Sequence, residues 1–280
     1  MSGQAGRAAA VLGRPVAHSL SPALHRAAYA ELGLDWTYDA IDCGVEDLDG
    51  VLAVRTDWAG FSCTMPLKHA AMTLSAECGE SARDVGAANT LLPRHGGGWV
   101  AHNTDVDGIL SALAARGVSS SAYAATGEVT ILGAGGTAQA AIVALARDSV
   151  RSCRLAVRDA SRTAATVETA ARMNVQVSIT ELTAPLPPGL VISTLPPTAA
   201  DAIARQAWTS RYAVLDAAYD PWPSRLAAAA AAGGATVVSG AGMLLHQAAA
   251  QVLLMTGRPA PVERMRAALL AAAPQSVGWV

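Results

Sequence analysis

Residues 129–141, "VTILGAGGTAQAA", constrain the fold of this 280-residue chain more than any other stretch. An apolar, strand-prone run, Val129–Leu132, gives way to Gly133, Gly135 and Ala138 in G-x-G-x-x-A spacing, and then to a helix-prone segment, Thr137–Ala146. Glycine permits a tight turn and close approach of the backbone to a pyrophosphate, while the helix start offers unpaired N–H groups to the anion. A lone glycine pattern fits an ordinary βα turn as well. Its place between strand and helix is what makes Gly133, Ala134, Gly135, Gly136, Thr137 and Ala138 a candidate dinucleotide loop. The alternation continues with a strand at Leu155–Val157, a helix at Ala160–Met173, and strands at Val175–Ile179, Leu190–Thr194, Ala213–Asp216 and Thr236–Ser239. Such a sequence predicts a doubly wound parallel sheet with helices on both faces.

A second βα-rich region precedes it. Ala9–Leu12, Trp36–Ile41 and Gly60–Thr64 read as strands, Pro22–Leu32 and Glu46–Val54 as helices, and Pro66 suits the first turn of another helix. Two apolar segments around Gly96-Gly97-Gly98 read as a hairpin, and Asp105–Ala115 as a helix. "GVSSSAYAATG" (117–127) is the linker candidate, and the tail from Met243 is helical in pattern. A chain of this length that is 52% hydrophobic can bury one large or two medium cores. Only 15% of residues are charged and the net charge is −2, which leaves no electrostatic footprint for nucleic acid. The N-terminal apolar run is too short for a signal peptide, and Leu226–Gly257 is interrupted by Gly233-Gly234, His246 and Gln247, as buried elements are. Cys43, Cys63, Cys78 and Cys153 show no zinc or redox spacing and read as small buried hydrophobes, so no metal is expected. The expectation is a cytoplasmic enzyme acting on a small molecule, without nucleic-acid or membrane partners.

Cofactor choice is read after the next strand, in "RLAVRDASR" (154–162). Arg158 and Arg162 would clamp a 2′-phosphate and favour NADP, whereas Asp159 would accept ribose hydroxyls and favour NAD. NADP is the adopted reading, with NAD the alternative.

Of the 20 basic residues, 19 are arginine; Lys68, in "SCTMPLK", is the one lysine. Arginine stays protonated, whereas lysine exchanges a proton near neutrality when its surroundings shift it. A position kept as lysine in an arginine-using chain points to acid–base chemistry, against chance survival of a surface residue. A carboxylate to hold that ammonium is available in Asp105 of "HNTDVDG", which also reads as a plain helix cap. Asn89 reads equally as a turn residue, and Ser21, before Pro22, as a cap.

Together, "GRPVAHSLSPALH", "SCTMPLK", "GAANTL", "NTDVDG", "GAGGTAQA", "YDPWPS" and "GMLLHQAAAQV" resemble the shikimate dehydrogenase family over nearly the whole chain, in order. That resemblance implies an N-terminal α/β substrate domain, residues 1–105, completed by the C-terminal helices at 241–280. It implies a Rossmann-type NADP domain at 106–240, and reversible NADP-dependent reduction of 3-dehydroshikimate to shikimate in aromatic biosynthesis. It also implies roles. Ser19 and Ser21, with Tyr219, would bind the substrate carboxylate; Lys68, Asn89, Asp105 and Gln247 would surround the ring hydroxyls, with Thr64 nearby; Lys68 and Asp105 would be the catalytic pair. Quinate-preferring relatives tend to carry threonine at the position of Ser21, so shikimate is favoured. Asp159 and "STLPPT" (193–198) depart from the family pattern. The alternatives are an NAD-linked quinate/shikimate dehydrogenase, an amino-shikimate substrate, and a dinucleotide-responsive binding module without turnover. A monomer or homodimer is expected.

Overall fold

The computed structural model describes residues 6–55 and 57–280. The chain divides into two compact units. The first comprises the described residues up to Thr104 together with Leu245–Pro274. Its N-terminal part runs β1 (Ala8–Gly13), α1 (Ser21–Glu31), β2 (Thr37–Asp42), α2 (Leu48–Val54), β3 (Gly60–Cys63), α3 (Lys68–Thr73), β4 (Glu77–Cys78), α4 (Glu80–Val85), β5 (Thr90–Pro93) and β6 (Trp99–His102). The six strands form one sheet in the order β2-β1-β3-β5-β6-β4. β1 is parallel to β2 and β3, whereas β5 is antiparallel to both β3 and β6. That reversal is the hairpin read around Gly96–Gly98.

Local chemistry explains the elements. Pro22 stands in the first turn of α1, where its missing N–H costs nothing. The helix ends at Gly33, whose φ of 66° is left-handed. There the Gly33 N–H reaches Ala30 O and the Leu34 N–H reaches Tyr29 O, the paired closure that a left-handed residue makes possible. Leu12, Leu48, Phe61, Leu67, Leu91 and Trp99 pack one core of this unit. Each fully buried Leu or Phe contributes roughly 1.5–3 kcal/mol relative to exposure.

The second unit comprises Asp105–Leu244 and Gln275–Val280. It runs α5 (Asp105–Ala115), α6 (Ser120–Thr126), β7 (Glu128–Leu132), α7 (Gly136–Arg147), β8 (Ser152–Val157), α8 (Ala164–Arg172), β9 (Gln176–Glu181), β10 (Gly189–Ser193), β11 (Ala213–Asp216), α9 (Arg225–Ala232) and β12 (Thr236–Ser239). α10 (Gly240–Thr256) gives its first residues to this unit and the rest to the first, followed there by α11 (Val262–Ala272). All strands of the second sheet are parallel, in the order β12-β11-β10-β7-β8-β9. Strand order reverses between β7 and β10, the switch point at which doubly wound sheets bind ligands.

The structure corrects two expectations. The serine-rich stretch 117–127 is not a linker: Ser119 accepts a hydrogen bond from the Ala122 N–H and caps α6, which packs on β7 and β10. Ser119 is a helix cap and Ser120 and Ser121 open the helix, so the stretch is not a solvated spacer. The last residues, grouped by sequence with the C-terminal helices of the first region, pack in the second unit, where Trp279 meets Trp222 edge-on at 5.4 Å. Cys43, Cys63 and Cys153 are buried, Cys78 is half-buried, and all four are free thiols. No helix among the described residues is long and apolar enough to cross a membrane.

Candidate active site

In the first unit, the topology gathers the expected polar residues at one edge of the sheet. Ser19 follows β1, and Thr64 follows β3 with its N–H on Leu12 O (2.9 Å). Because β5 runs antiparallel to β3, Asn89 at the start of β5 returns to that same edge, where the Cys63 N–H bonds Asn89 O (2.7 Å). The Asn89 N–H bonds His102 O (3.1 Å), which brings the end of β6, and with it Asn103 and Thr104, to the edge as well. Ser19 Oγ accepts from the Ser21 N–H (3.3 Å) at the start of α1. Ser21 lies inside the first helical turn, 4% exposed, so it is not the residue before the helix that a side-chain cap requires. The Leu67 N–H closes a turn on Thr64 O (2.7 Å), and Lys68 opens α3 immediately after it. The Lys68 carbonyl accepts from the Ala88 N–H (2.8 Å), which ties the lysine's backbone to the segment leading into Asn89.

Asn89 is the hub. Its Oδ1 accepts from the Thr104 N–H (2.8 Å) and from Thr90 Oγ1 (2.8 Å), while its Nδ2 donates to Thr104 Oγ1 (3.0 Å) and to Gln247 Oε1 (3.3 Å). The structure thus brings Asn89 and Gln247 together although 158 positions separate them. Asp105, the next residue after Thr104, opens α5 in the second unit and is 5% exposed.

In the second unit, Gly133 has a φ of 104°. A Cβ at this position would stand 2.6 Å from Thr194 Oγ1 and 3.3 Å from Leu195 Cδ2. Thr194 cannot easily retreat, because its Oγ1 donates to Leu132 O (2.8 Å). At Gly135 a Cβ would meet nothing within 4 Å, so the backbone there faces open space. α7 begins directly after it, and Gly135 at its cap position has no side chain to bond the first N–H groups. Ala138 is fully buried, which lets the helix lie close on the sheet. Thr166 Oγ1 donates to Ala134 O (3.0 Å) and ties the middle of the loop to α8. An exposed backbone, an uncapped helix start and a pinned loop together fit a pyrophosphate. Gly136 and Thr137 supply the first residues of α7.

Arg158, Asp159 and Arg162 are all exposed beyond β8. Asp159 Oδ1 accepts from the Ser161 N–H (2.9 Å) and from Ser161 Oγ (2.6 Å), capping the short turn Ala160–Thr163. Those bonds hold its carboxyl below the usual carboxylate range. Tyr219 is half-buried in the loop between β11 and α9. The base of that loop is closed by Asp216, which accepts from the Ala218 N–H (3.2 Å) and from the hydroxyl of Ser224, itself the cap of α9. Burial pushes the Asp216 carboxyl up.

Sequence reading missed Thr90, Thr104, Thr166, Thr194 and Gln251 as parts of these sites. Only Gln251 had a local signal: it stands four residues after Gln247, on the same helix face.

Residues 11–91 match a family model described as the shikimate dehydrogenase substrate binding domain, and residues 240–270 one described as the shikimate 5′-dehydrogenase C-terminal domain. Residues 129–238 match the saccharopine dehydrogenase NADP binding domain. The chain is 33% identical to the shikimate dehydrogenase (NADP(+)) of Geobacter metallireducens over 281 residues, covering 95% of this chain and 96% of that protein. It is 34% identical over 270 residues to the pentafunctional AROM polypeptide of Eremothecium gossypii, of whose length it spans only 17%. Among solved structures, the Mycobacterium tuberculosis shikimate dehydrogenase is similar with a TM-score of 0.81 and 41% identity, over 95% of this chain and 99% of that one. The shikimate 5-dehydrogenase of Thermus thermophilus, in complex with NADP(H) and shikimate, is similar with a TM-score of 0.77 and 31% identity, over 95% and 99% of the two chains.

Proposed function

The chain belongs to the shikimate dehydrogenase family, and from that premise we propose that it interconverts 3-dehydroshikimate and shikimate with NADP(H), in aromatic biosynthesis. The observation that carries this reading is the Asn89–Gln247 amide pair at the sheet edge that also bears Ser19, Thr64 and the turn into Lys68. Two carboxamides and several hydroxyls on one edge suit a polyhydroxylated ring, each of whose hydroxyls both donates and accepts.

The cofactor reading is NADP. The loop at Gly133–Ala138 fits a pyrophosphate, and the NADP(+)-named relatives support the choice. Asp159 argues against NAD because its carboxylate is engaged by Ser161. Arg158 and Arg162 would hold the 2′-phosphate, Arg158 most directly as the first residue beyond β8. NADP, when bound, takes or returns a hydride at the carbinol carbon.

The remaining work falls to the chain's own residues. Ser19, Ser21 and Tyr219 bind the substrate carboxylate. Asn89 and Gln247 orient the ring hydroxyls, with Thr64 beside them. Lys68 takes the hydroxyl proton in the oxidising direction; in the other it steadies the charge growing on the carbonyl oxygen and protonates it. Asp105 aims that lysine and stabilises the ammonium that forms when it takes the proton. The proposed division of labour is a substrate domain built on 1–105 and the C-terminal helices, and an NADP domain built on 106–240, which the last six residues join. The proposed setting is the cytoplasm, as a monomer or homodimer.

Replacing Lys68 tests the assignment. Lys68→Ala lowers kcat by roughly two to four orders of magnitude, the scale of an acid–base group, while the KM for shikimate changes far less. Steady-state rates in which the variant keeps near-normal turnover end the catalytic role of Lys68.

A further inference from the structure

Beneath Asn89 and Gln247 lies a buried chain of polar side chains whose donor directions are determined by elementary chemistry. Ser62, Thr90, Asn89, Gln251 and Gln247 are 5%, 0%, 2%, 1% and 7% exposed. Tyr38, fully buried, places its hydroxyl 2.5 Å from Ser62 Oγ. Ser62 Oγ donates to Gln251 Oε1 (2.8 Å). A hydroxyl has one proton, so Tyr38 donates to Ser62. His25 Nε2 stands 3.3 Å from the same Gln251 oxygen. A carbonyl only accepts, so His25, stacked on Tyr38 at 4.0 Å, carries a proton on Nε2, and its full burial keeps the ring neutral.

With its carbonyl held from that side, the Gln251 amide faces the other way. Its Nε2 donates to Asn89 O (3.2 Å) and to Thr90 Oγ1 (3.0 Å). Thr90 then spends its single proton on Asn89 Oδ1 (2.8 Å). That bond, with the Thr104 N–H, fixes which end of the Asn89 amide is oxygen, so Nδ2 is turned to Gln247 Oε1. Gln247 in turn directs its carbonyl toward Asn89 and its NH2 group away from it.

We propose that Thr90 and Gln251 are positioning residues: a one-way relay, Tyr38 and His25 to Gln251 to Thr90 to Asn89, sets the amides of Asn89 and Gln247 so that the substrate meets Gln247 as a hydrogen-bond donor. The substrate group received there is therefore an oxygen acting as acceptor. This rests on the reading of Asn89 and Gln247 as substrate ligands. Without the relay the Asn89 oxygen loses the Thr90 hydroxyl and is held there by Thr104, and an Asn89 that rotates sets oxygen against oxygen at Gln247.

The experiment compares Thr90→Val, which keeps shape and loses the hydroxyl, with Thr90→Ser, which restores it. In Thr90→Val the KM for shikimate rises about fivefold or more, the scale of one misdirected hydrogen bond, with the KM for NADP+ within about twofold of wild type. Thr90→Ser returns the shikimate KM toward the wild-type value. A wild-type shikimate KM in Thr90→Val, or a serine variant as impaired as the valine one, overturns the relay. If Thr90→Val does not fold, Gln251→Met removes the donor that orients Thr90 and is expected to raise the same KM; no rise there overturns it equally. Asn89→Ala separates the two levels. A weakened shikimate KM in Asn89→Ala beside an unaffected Thr90→Val rejects the relay alone, whereas an unaffected Asn89→Ala rejects the substrate-site reading beneath it.

Discussion

Asp159 and Arg158 are adjacent, and at the scale of single residues they pull the cofactor choice in opposite directions. The sequence offered both, and NADP was adopted with NAD still open, because charge and position are legible in a string of letters and side-chain engagement is not. What separates them is Ser161, whose N–H and hydroxyl both bond Asp159 Oδ1 and convert a ribose-binding candidate into the cap of a turn. Arg158→Ala is therefore expected to raise the KM for NADP+ about tenfold or more while leaving the KM for NAD+ nearly unchanged, as loss of a charge-assisted phosphate contact should. Titrations with both cofactors check this; equal losses for the two would remove the 2′-phosphate role. Lys68 was legible for a different reason. Its singularity in an arginine-using chain is a property of composition, and no fold was needed to see it. Thr90 was invisible, since nothing local marks a threonine that serves as a relay between two amides.

Elements were read best where their punctuation is chemical. Gly33 announces the end of α1, and the glycine loop announces the passage from β7 to α7. The ends of α7 and α8 use the same left-handed closure with Ser149 (φ 64°) and Asn174 (φ 53°), which carry weaker signals. The helix α6 was misread as a spacer because serine favours caps and loops alike, and only the Ser119–Ala122 bond distinguishes them. The βα turn makes its own prediction. Gly133→Ala adds a methyl 2.6 Å from Thr194 Oγ1 at a left-handed φ, so it is expected to cost about 1–3 kcal/mol of stability and to weaken NADP binding. Thermal melts with and without NADP+ measure both effects. An alanine variant as stable and as responsive to NADP+ as wild type would show that this close approach is not needed.

For the molecule as a whole, the parallel sheet of the second unit followed directly from the strand–helix alternation, and the mixed sheet of the first from one hairpin. Links across sequence distance, such as His25 to Gln251, lie outside what pattern reading along the chain can see, and Asn89 and Gln247 were brought together only through the family resemblance. The burial of His25 bears on acid stability. Burial lowers the His25 pKa from 6.5 to about 3. The folded state therefore refuses a proton that the unfolded state accepts. His25 costs no stability above its unfolded pKa of 6.5, and its destabilising effect grows as pH falls from there toward 3, by up to about 1.4 kcal/mol per pH unit. Urea midpoints are expected to drop between about pH 7 and about pH 5, and the drop to flatten by about one proton in His25→Asn. An unchanged pH dependence in that variant would remove His25 as the cause.

Oxidation of shikimate with NADP+ is decided by initial rates for four pairings, shikimate or quinate with NADP+ or NAD+. Shikimate with NADP+ is expected to give the highest kcat/KM, by about tenfold or more over each other pairing. Failure to reduce either cofactor with shikimate, despite measurable binding of both, would contradict it.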